Sequence, residues 1–171
     1  DGTITAWDID DLTGIGPYSV YPRTSGIEAN QIVNLVGGPY TCPNYRARAR
    51  VVFQNKNVMC QYRAVGHPIA TAVTEALVEL AAAKIGMDPL EIRRRNLIAD
   101  DAHPSQGPSG IKYEALSNHE ALAHLDSMMN YAGLRAEQAK LRQRGIYRGI
   151  GFATFVEVTN PALGLYCLKP K

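Results

Sequence analysis

The stretch His67-Pro68-Ile69-Ala70-Thr71-Ala72-Val73-Thr74-Glu75-Ala76-Leu77-Val78-Glu79-Leu80-Ala81-Ala82-Ala83-Lys84-Ile85-Gly86-Met87-Asp88-Pro89 decides the fold class of this chain. Proline at a first helical position loses nothing, because the N–H it lacks would have no partner there. Ile69, Val73, Ala76, Leu77, Leu80 and Ala83 return at three- and four-residue steps, which predicts a helix over 68–85 with that stripe buried. Gly86 supplies its stop. Asp88-Pro89-Leu90-Glu91 then opens a second helix, with Asp88 as cap, Pro89 at the first position and Glu91 able to reach back. That helix, 89–96, carries Leu90, Ile92 and the run Arg93-Arg94-Arg95, whose stems are expected to lie over the helix pair and whose charges pair with acids such as Asp88 or Glu91.

Towards the N-terminus, Ile4, Trp7 and Ile9 alternate with polar residues, so 2–9 reads as a strand. Residues 10–26 hold three glycines and two prolines and read as loop. A short helix over 27–36 has Ile27, Ile32, Leu35 and Val36 on one face and stops at Gly37-Gly38-Pro39. Residues 46–54 form the next strand, with Arg46, Arg48 and Arg50 in a row that reads as a solvated face or a subunit interface. Beyond the helix pair, 100–110 is a surface connection. Asn118 caps a helix reaching Tyr131, with Ala121, Leu122, Leu125, Met128 and Met129 inward, and Gly133 separates it from a polar helix over 134–144. Gly145 ends that helix, and 147–158, rich in β-formers, reads as a strand with Glu157 facing outward. The order of elements predicts an α+β fold, mixed strands packed with three or four helices.

Composition removes several function classes. The chain has 171 residues, 46% apolar and 20% charged, which is a globular composition. Eighteen Lys and Arg against sixteen Asp and Glu leave +2, too balanced for nucleic-acid binding by bulk charge. The longest apolar run, 76–85, contains Glu79 and Lys84 and is too short to span a bilayer. Cys42, Cys60 and Cys167 form no Cys-x-x-Cys, which argues for a reduced, cytoplasmic compartment and against a zinc ribbon. His119 and His124 fall on different faces of their helix, so they do not suggest metal ligation. The chain does not begin with Met, and Asp1-Gly2-Thr3-Ile4 reads as the middle of a hairpin, so a piece of a longer protein is expected.

The segment that could carry chemistry is Val58-Met59-Cys60-Gln61-Tyr62-Arg63-Ala64-Val65-Gly66-His67-Pro68. It delivers the chain to the head of the strongest helix, where backbone N–H groups and the helix dipole can hold an anionic oxygen or a phosphate. Arg63 adds a planar fork of donors, and Gly66 permits a close approach. The alternative is a tight loop whose Arg63 pairs with an acid. Glu75, a carboxylate within an apolar stripe, either finds a partner such as Arg63 or faces solvent. Cys60 reads as a small buried hydrophobe.

These residues carry a resemblance. Tyr62-Arg63-Ala64-Val65-Gly66-His67-Pro68, Glu75, the thirteen-residue run Gly86-Met87-Asp88-Pro89-Leu90-Glu91-Ile92-Arg93-Arg94-Arg95-Asn96-Leu97-Ile98 and Tyr147-Arg148-Gly149-Ile150-Gly151 resemble the molybdopterin-binding large subunit of the xanthine dehydrogenase and aldehyde oxidase family, over roughly residues 1–160. The resemblance implies that Arg63 lies beside the molybdenum centre as a backbone or outer contact, with Tyr62, Ala64 and Gly66 as the rest of the cofactor-binding turn. It also implies that Val65 and Gln31 line the substrate pocket. Xanthine-type members carry a phenylalanine where Val65 stands and an arginine where Gln31 stands; both departures argue against xanthine. Carbon monoxide dehydrogenases of the family bind copper through a cysteine directly after the turn arginine, and Ala64 has no such ligand atom.

The implied reaction is hydroxylation of an aldehyde or N-heteroaromatic compound with water as the oxygen source. Electrons would leave through iron–sulfur clusters and FAD on other domains or subunits. The implied cofactor is molybdenum-molybdopterin in its cytosine dinucleotide form, and the implied catalytic glutamate lies beyond this chain, so the chain alone is expected to be inactive. Partners would be the remainder of the large subunit, the iron–sulfur and flavin subunits and a small-molecule substrate, with no nucleic acid and no membrane. The chain would be a single fragment of the molybdopterin-binding domain: strands and a short helix (1–60), the cofactor-side turn and helix pair (61–98), loop and helices (99–145), and a strand and tail (146–171). The alternative is a non-catalytic scaffold or subunit-assembly module of the same fold.

Overall fold

The computed structural model describes residues 1–21 and 24–157. Strand β1 (Trp7–Gly14) and strand β2 (Tyr45–Val52) pair in parallel, Trp7 opposite Tyr45 and Gly14 opposite Val52. Helix α1 (Ile27–Leu35) lies between them in sequence. Parallel neighbours need a long crossover, and α1 provides it. Trp7, Ile9 and Tyr45 face the core, where Ile32, Leu35, Val36 and Tyr40 gather. The other face is a charge ladder: Arg46 bonds Asp8, and Arg50 bonds Asp10 at 3.0 Å. The hydrogen bond from Arg46 holds the Asp8 carboxyl below the usual carboxylate range.

Strand β1 starts later than the alternation predicts and runs through Asp10-Asp11-Leu12-Thr13, within the stretch whose glycines and prolines predict loop. Two adjacent aspartates are poor strand formers, but pairing with an arginine-bearing neighbour outweighs local preference.

Helices α2 (His67–Ile85) and α3 (Pro89–Asn96) fall where the caps and spacing place them. Asp88 caps α3 as expected, its Oδ1 accepting from the Leu90 N–H at 2.8 Å and the Glu91 N–H at 3.4 Å. Its Oδ2 accepts from the Tyr131 hydroxyl at 2.8 Å, so one carboxylate joins α3 to a helix forty-three residues on. The three arginines separate: Arg95 bonds Glu91, as expected, Arg94 bonds Asp126, and Arg93 is wholly buried.

The face that α2 buries is not the expected one. Ile69, Val73, Leu77 and Leu80 are 43%, 39%, 45% and 65% exposed, and Ala76 and Ala83 are exposed with them. His67, Ala70, Thr74, Glu75, Val78 and Ala82 point inward instead. The cause is hydrogen bonding: Thr74 Oγ1 accepts the buried Gly37 N–H at 3.0 Å, and Glu75 is held by three side chains. Once bonded, such groups can be buried in place of larger apolar ones. A groove of about 520 Å³ runs between residues 1–8 and the outer side of α2, lined by Leu77, Ala81 and Ile85, with Ile92 of α3.

The connection over 100–110 contributes strand β3 (Ser105–Gln106), which pairs antiparallel with β4 (Lys112–Tyr113). Helix α4 (Asn118–Met129) begins one residue after Ser117, and Asn118 is not its cap. Its first free amides, those of His119 and Glu120, are taken by the carboxylate of Asp100 at 3.0 and 2.9 Å. Among its expected inward residues Leu122 is buried and Met129 packs against the core, whereas Leu125 and Met128 are exposed. Helix α5 (Tyr131–Gln143) contains Gly133; the break before it is Asn130, at φ +49°. Residues 147–157 form no strand, and Phe152 is buried while Glu157 is exposed, as expected. Val158, the tail to residue 171 and Cys167 lie outside the described residues. The fold is α+β, with four helices after β2. No helix among the described residues is long and apolar enough to cross a membrane.

Replacing the α3 cap should free its first turn. Asp88→Ala in the complete protein should cost about 1 kcal/mol, seen as roughly fivefold faster opening-limited amide exchange at Leu90 and Glu91. Unchanged exchange would place the start of α3 elsewhere.

Candidate functional site

The chain leaves β2 and crosses 53–61 without regular structure before the turn at Tyr62–Gly66. Val65 N–H donates to Tyr62 O at 3.1 Å, and His67 N–H to Ala64 O at 2.8 Å, so two short turns follow one another into α2. Ala64 and Gly66 are both left-handed, at φ +74° and +76°. For Gly66 the conformation and the space both require glycine. A Cβ there would lie 2.9 Å from the Gln31 Cβ and the Glu28 carbonyl oxygen, and 3.1 Å from the Ile32 nitrogen. The turn is thus pressed directly onto the backbone of α1. For Ala64 no such relief exists, since a residue with a Cβ adopts this region rarely and at a cost.

Of the residues that the sequence singled out, Tyr62, Arg63, Ala64, Val65 and Gly66 are contiguous, and Gln31 is brought against them through Gly66. Tyr62 is 83% exposed, and Gln31 is 5% exposed. Arg63 is exposed and makes no ion pair among the described residues. Its suggested pairing with Glu75 does not form. Cys60 is exposed, not buried as expected. Just before the turn, the Gln61 Oε1 is buried without a hydrogen-bond partner among the described residues.

Glu75 is buried in a network that the sequence reading missed. Its Oε2 accepts from Arg93 Nε at 2.9 Å, and its Oε1 accepts from the Tyr40 hydroxyl at 2.8 Å and the Thr154 hydroxyl at 3.0 Å. Arg93 spends its remaining donors on Glu79 (3.2 Å), Pro89 O (2.8 Å) and Phe152 O (2.9 Å). Burial is the largest single influence and works against the Arg93 charge, but Glu75, Tyr40 and Glu79 together outweigh it and lift the guanidinium above its ordinary value. Burial, with Glu75 beside it, likewise raises the Tyr40 phenol. The signal available in sequence was an acid in an apolar helix and an arginine run one helix later, but nothing in their spacing identified which arginine was meant.

Similarity to known proteins accords with this arrangement. Residues 1–97 match the family model described as the molybdopterin cofactor-binding domain. The chain is 30% identical over 166 residues to the nicotine 6-hydroxylase large subunit of Paenarthrobacter nicotinovorans, covering 96% of this chain and 20% of that protein. It is 35% identical over 153 residues to the aldehyde oxidoreductase of Megalodesulfovibrio gigas, covering 88% of this chain and 16% of the other. Among solved structures, quinoline 2-oxidoreductase from Pseudomonas putida 86 aligns with a TM-score of 0.74 at 28% identity, over 85% of this chain and 18% of that one. The chain belongs to the molybdopterin cofactor-binding domain family. It spans about a fifth of the length of the curated relatives it matches.

Removing one member of the buried pair strands the other. Glu75→Ala should destabilise the protein by about 3–5 kcal/mol, read as a lowered denaturation midpoint. A loss below about 1 kcal/mol would mean that Arg93 reaches water when its partner is gone.

Proposed function

We propose that this chain is part of the large subunit of a molybdenum hydroxylase, and that the turn 62–66 is its contribution to the cofactor and substrate site. The observation that carries this reading is Arg63, without an ion pair among the described residues and held on a left-handed turn at the head of a nineteen-residue helix. Three features fit a large anionic group. Arg63 offers a fixed positive charge and planar donors that make no ion pair among the described residues. The buried Gln61 Oε1 has no donor among the described residues and could accept one from a bound group. Gly66 presses the turn onto α1, and Tyr62 and Arg63 beside it are exposed. Tyr62, Ala64 and Gly66 would complete the cofactor contact through their backbone.

When bound, a molybdenum–pterin group would supply the two-electron acceptor for a hydroxylation whose oxygen comes from water. The overall balance is R–CHO + H₂O → R–COOH + 2 e⁻ + 2 H⁺ for an aldehyde, or Ar–H + H₂O → Ar–OH + 2 e⁻ + 2 H⁺ at an N-heteroaromatic carbon. The chain's own part is to bind and to shape. Arg63 holds the cofactor side of the turn, while Val65, with Gln31 behind the turn, lines the substrate side. Val65 offers an aliphatic wall and no aromatic face on which a purine could stack.

The relatives named above act on nicotine, on aldehydes and on quinoline by their names, which supports an aldehyde or N-heteroaromatic substrate. The designation "large subunit" of the nicotine hydroxylase supports a complex with further subunits. Those would carry iron–sulfur clusters and FAD, with a cytosine dinucleotide form of the pterin, in the cytoplasm. Residues 1–171 would form one piece of the cofactor-binding domain, inactive alone. The conformational cost at Ala64 favours an enzyme over an inert scaffold, because strain of this kind concentrates where it serves a site.

The complete protein, purified with its partners, should contain molybdenum and pterin and should oxidise benzaldehyde or quinoline with a dye acceptor. Absence of both metal and pterin would overturn the assignment. Arg63→Ala should lower dye-linked turnover by about 10²-fold while leaving the thermal midpoint within a few degrees; unchanged turnover would remove Arg63 from the site. Val65→Phe should shift the kcat/KM ratio of benzaldehyde to quinoline about tenfold, and an unaltered ratio would remove Val65 from the pocket wall.

A further inference from the structure

His67 follows the turn and is 7% exposed. Its ring Nδ1 lies 2.7 Å from the Ala64 carbonyl oxygen and 3.3 Å from that of Val65. A carbonyl oxygen can only accept, so Nδ1 carries the hydrogen, in the neutral and the charged ring alike. The Ala64 oxygen also accepts from the His67 backbone N–H at 2.8 Å. One carbonyl therefore takes two donors from a single residue, one from its main chain and one from its ring. With both lone pairs engaged, the peptide between Ala64 and Val65 cannot rotate without breaking both bonds.

The same peptide follows the one residue of the turn whose backbone is unfavourable, Ala64 at φ +74°. Left to itself, an alanine relaxes out of that region. Relaxation would redirect the chain on either side, moving Arg63 before the peptide and Val65 after it. Gly66 fixes the far end of the turn against α1, and the imidazole fixes the near end. The ring comes from the first residue of α2, a rigid element packed through Thr74 and Glu75, so the clamp is itself anchored.

We infer that His67 is a positioning residue, whose Nδ1–H bond to the Ala64 carbonyl holds the turn in the left-handed conformation that presents Arg63 and Val65 to the bound cofactor and substrate. This rests on the functional reading given above. It assigns His67 no contact with either ligand, and it predicts that the geometry of the bound Nδ1–H, not the charge or bulk of the imidazole, is what matters.

The test uses the complete holoenzyme with three substitutions. Asparagine places an amide N–H near the position of Nδ1, glutamine places one near Nε2, and alanine places none. His67→Gln and His67→Ala should lower kcat with benzaldehyde about 10- to 100-fold, the penalty typical of a displaced reacting geometry, and should change the Mo(V) electron paramagnetic resonance line shape of dithionite-reduced enzyme. His67→Asn should restore both the line shape and most of kcat. If His67→Ala fails to accumulate, the Asn and Gln pair decides on the same two readouts. Wild-type line shape and kcat in His67→Gln would overturn the clamp, as would an Asn variant no better than Gln. Arg63→Ala, run alongside, separates the two levels. If it alters the spectrum while the His67 variants do not, only the clamp falls; if it is silent as well, the placement of the turn at the cofactor falls with it.

Discussion

The helical half of the molecule is arranged around the bond between Glu75 and Arg93. Neither charge can be buried alone, because taking an ion out of water costs several kcal/mol that only a well-placed partner returns. Having met each other, both still carry unused hydrogen-bonding capacity, and the fold is built to satisfy it. Arg93 reaches Glu79, the Pro89 carbonyl and the Phe152 carbonyl, while Glu75 takes the hydroxyls of Tyr40 and Thr154. One ion pair thereby ties α2, α3, the segment after α1 and the irregular stretch around residue 152 into one unit. The Phe152 ring adds to it, edge-on to Tyr131 at 5.0 Å and beneath the Arg93 guanidinium at 5.9 Å.

The ion pair also governs the candidate site, although it does not touch it. Glu75 lies nine residues along α2 from Gly66, about 13 Å at the helical rise. A helix is stiff over that distance, so the rotation about its axis that Glu75 and Thr74 impose is felt at its first turn. There the helix meets α1 through Gly66, which lies against the Gln31 Cβ and the backbone at Glu28 and Ile32. Core and turn are coupled mechanically, the core setting the direction from which the turn emerges.

The parts of this structure legible in the sequence were those decided locally. The ends of α2 and α3 follow from Pro68, Gly86 and Asp88-Pro89, which act within a few residues of themselves. The turn 62–66 stood out for the same reason. What the sequence concealed was decided by distant partners. Asp10-Asp11 became strand because β2 brought arginines beside β1, and the first amides of α4 were served by Asp100 from another part of the chain. The inward face of α2 was misjudged because apolar periodicity presumes that the oiliest side goes in. Thr74 and Glu75 reversed that presumption through hydrogen bonds to Gly37 and to Tyr40, Arg93 and Thr154. The segment 147–157 has the β-formers of a strand but no neighbouring strand among the described residues, and a strand cannot exist without one.

The outward stripe of Ile69, Val73, Leu77 and Leu80 has a consequence for handling. An uncharged ridge about three helical turns long, its four large side chains 39–65% exposed among the described residues, is a cohesive surface in water. Concentrated in isolation, these residues are driven to self-associate, and mild detergent or low salting-out strength would oppose that tendency. Colloidal behaviour is then the property that this face of α2 governs in concentrated solution.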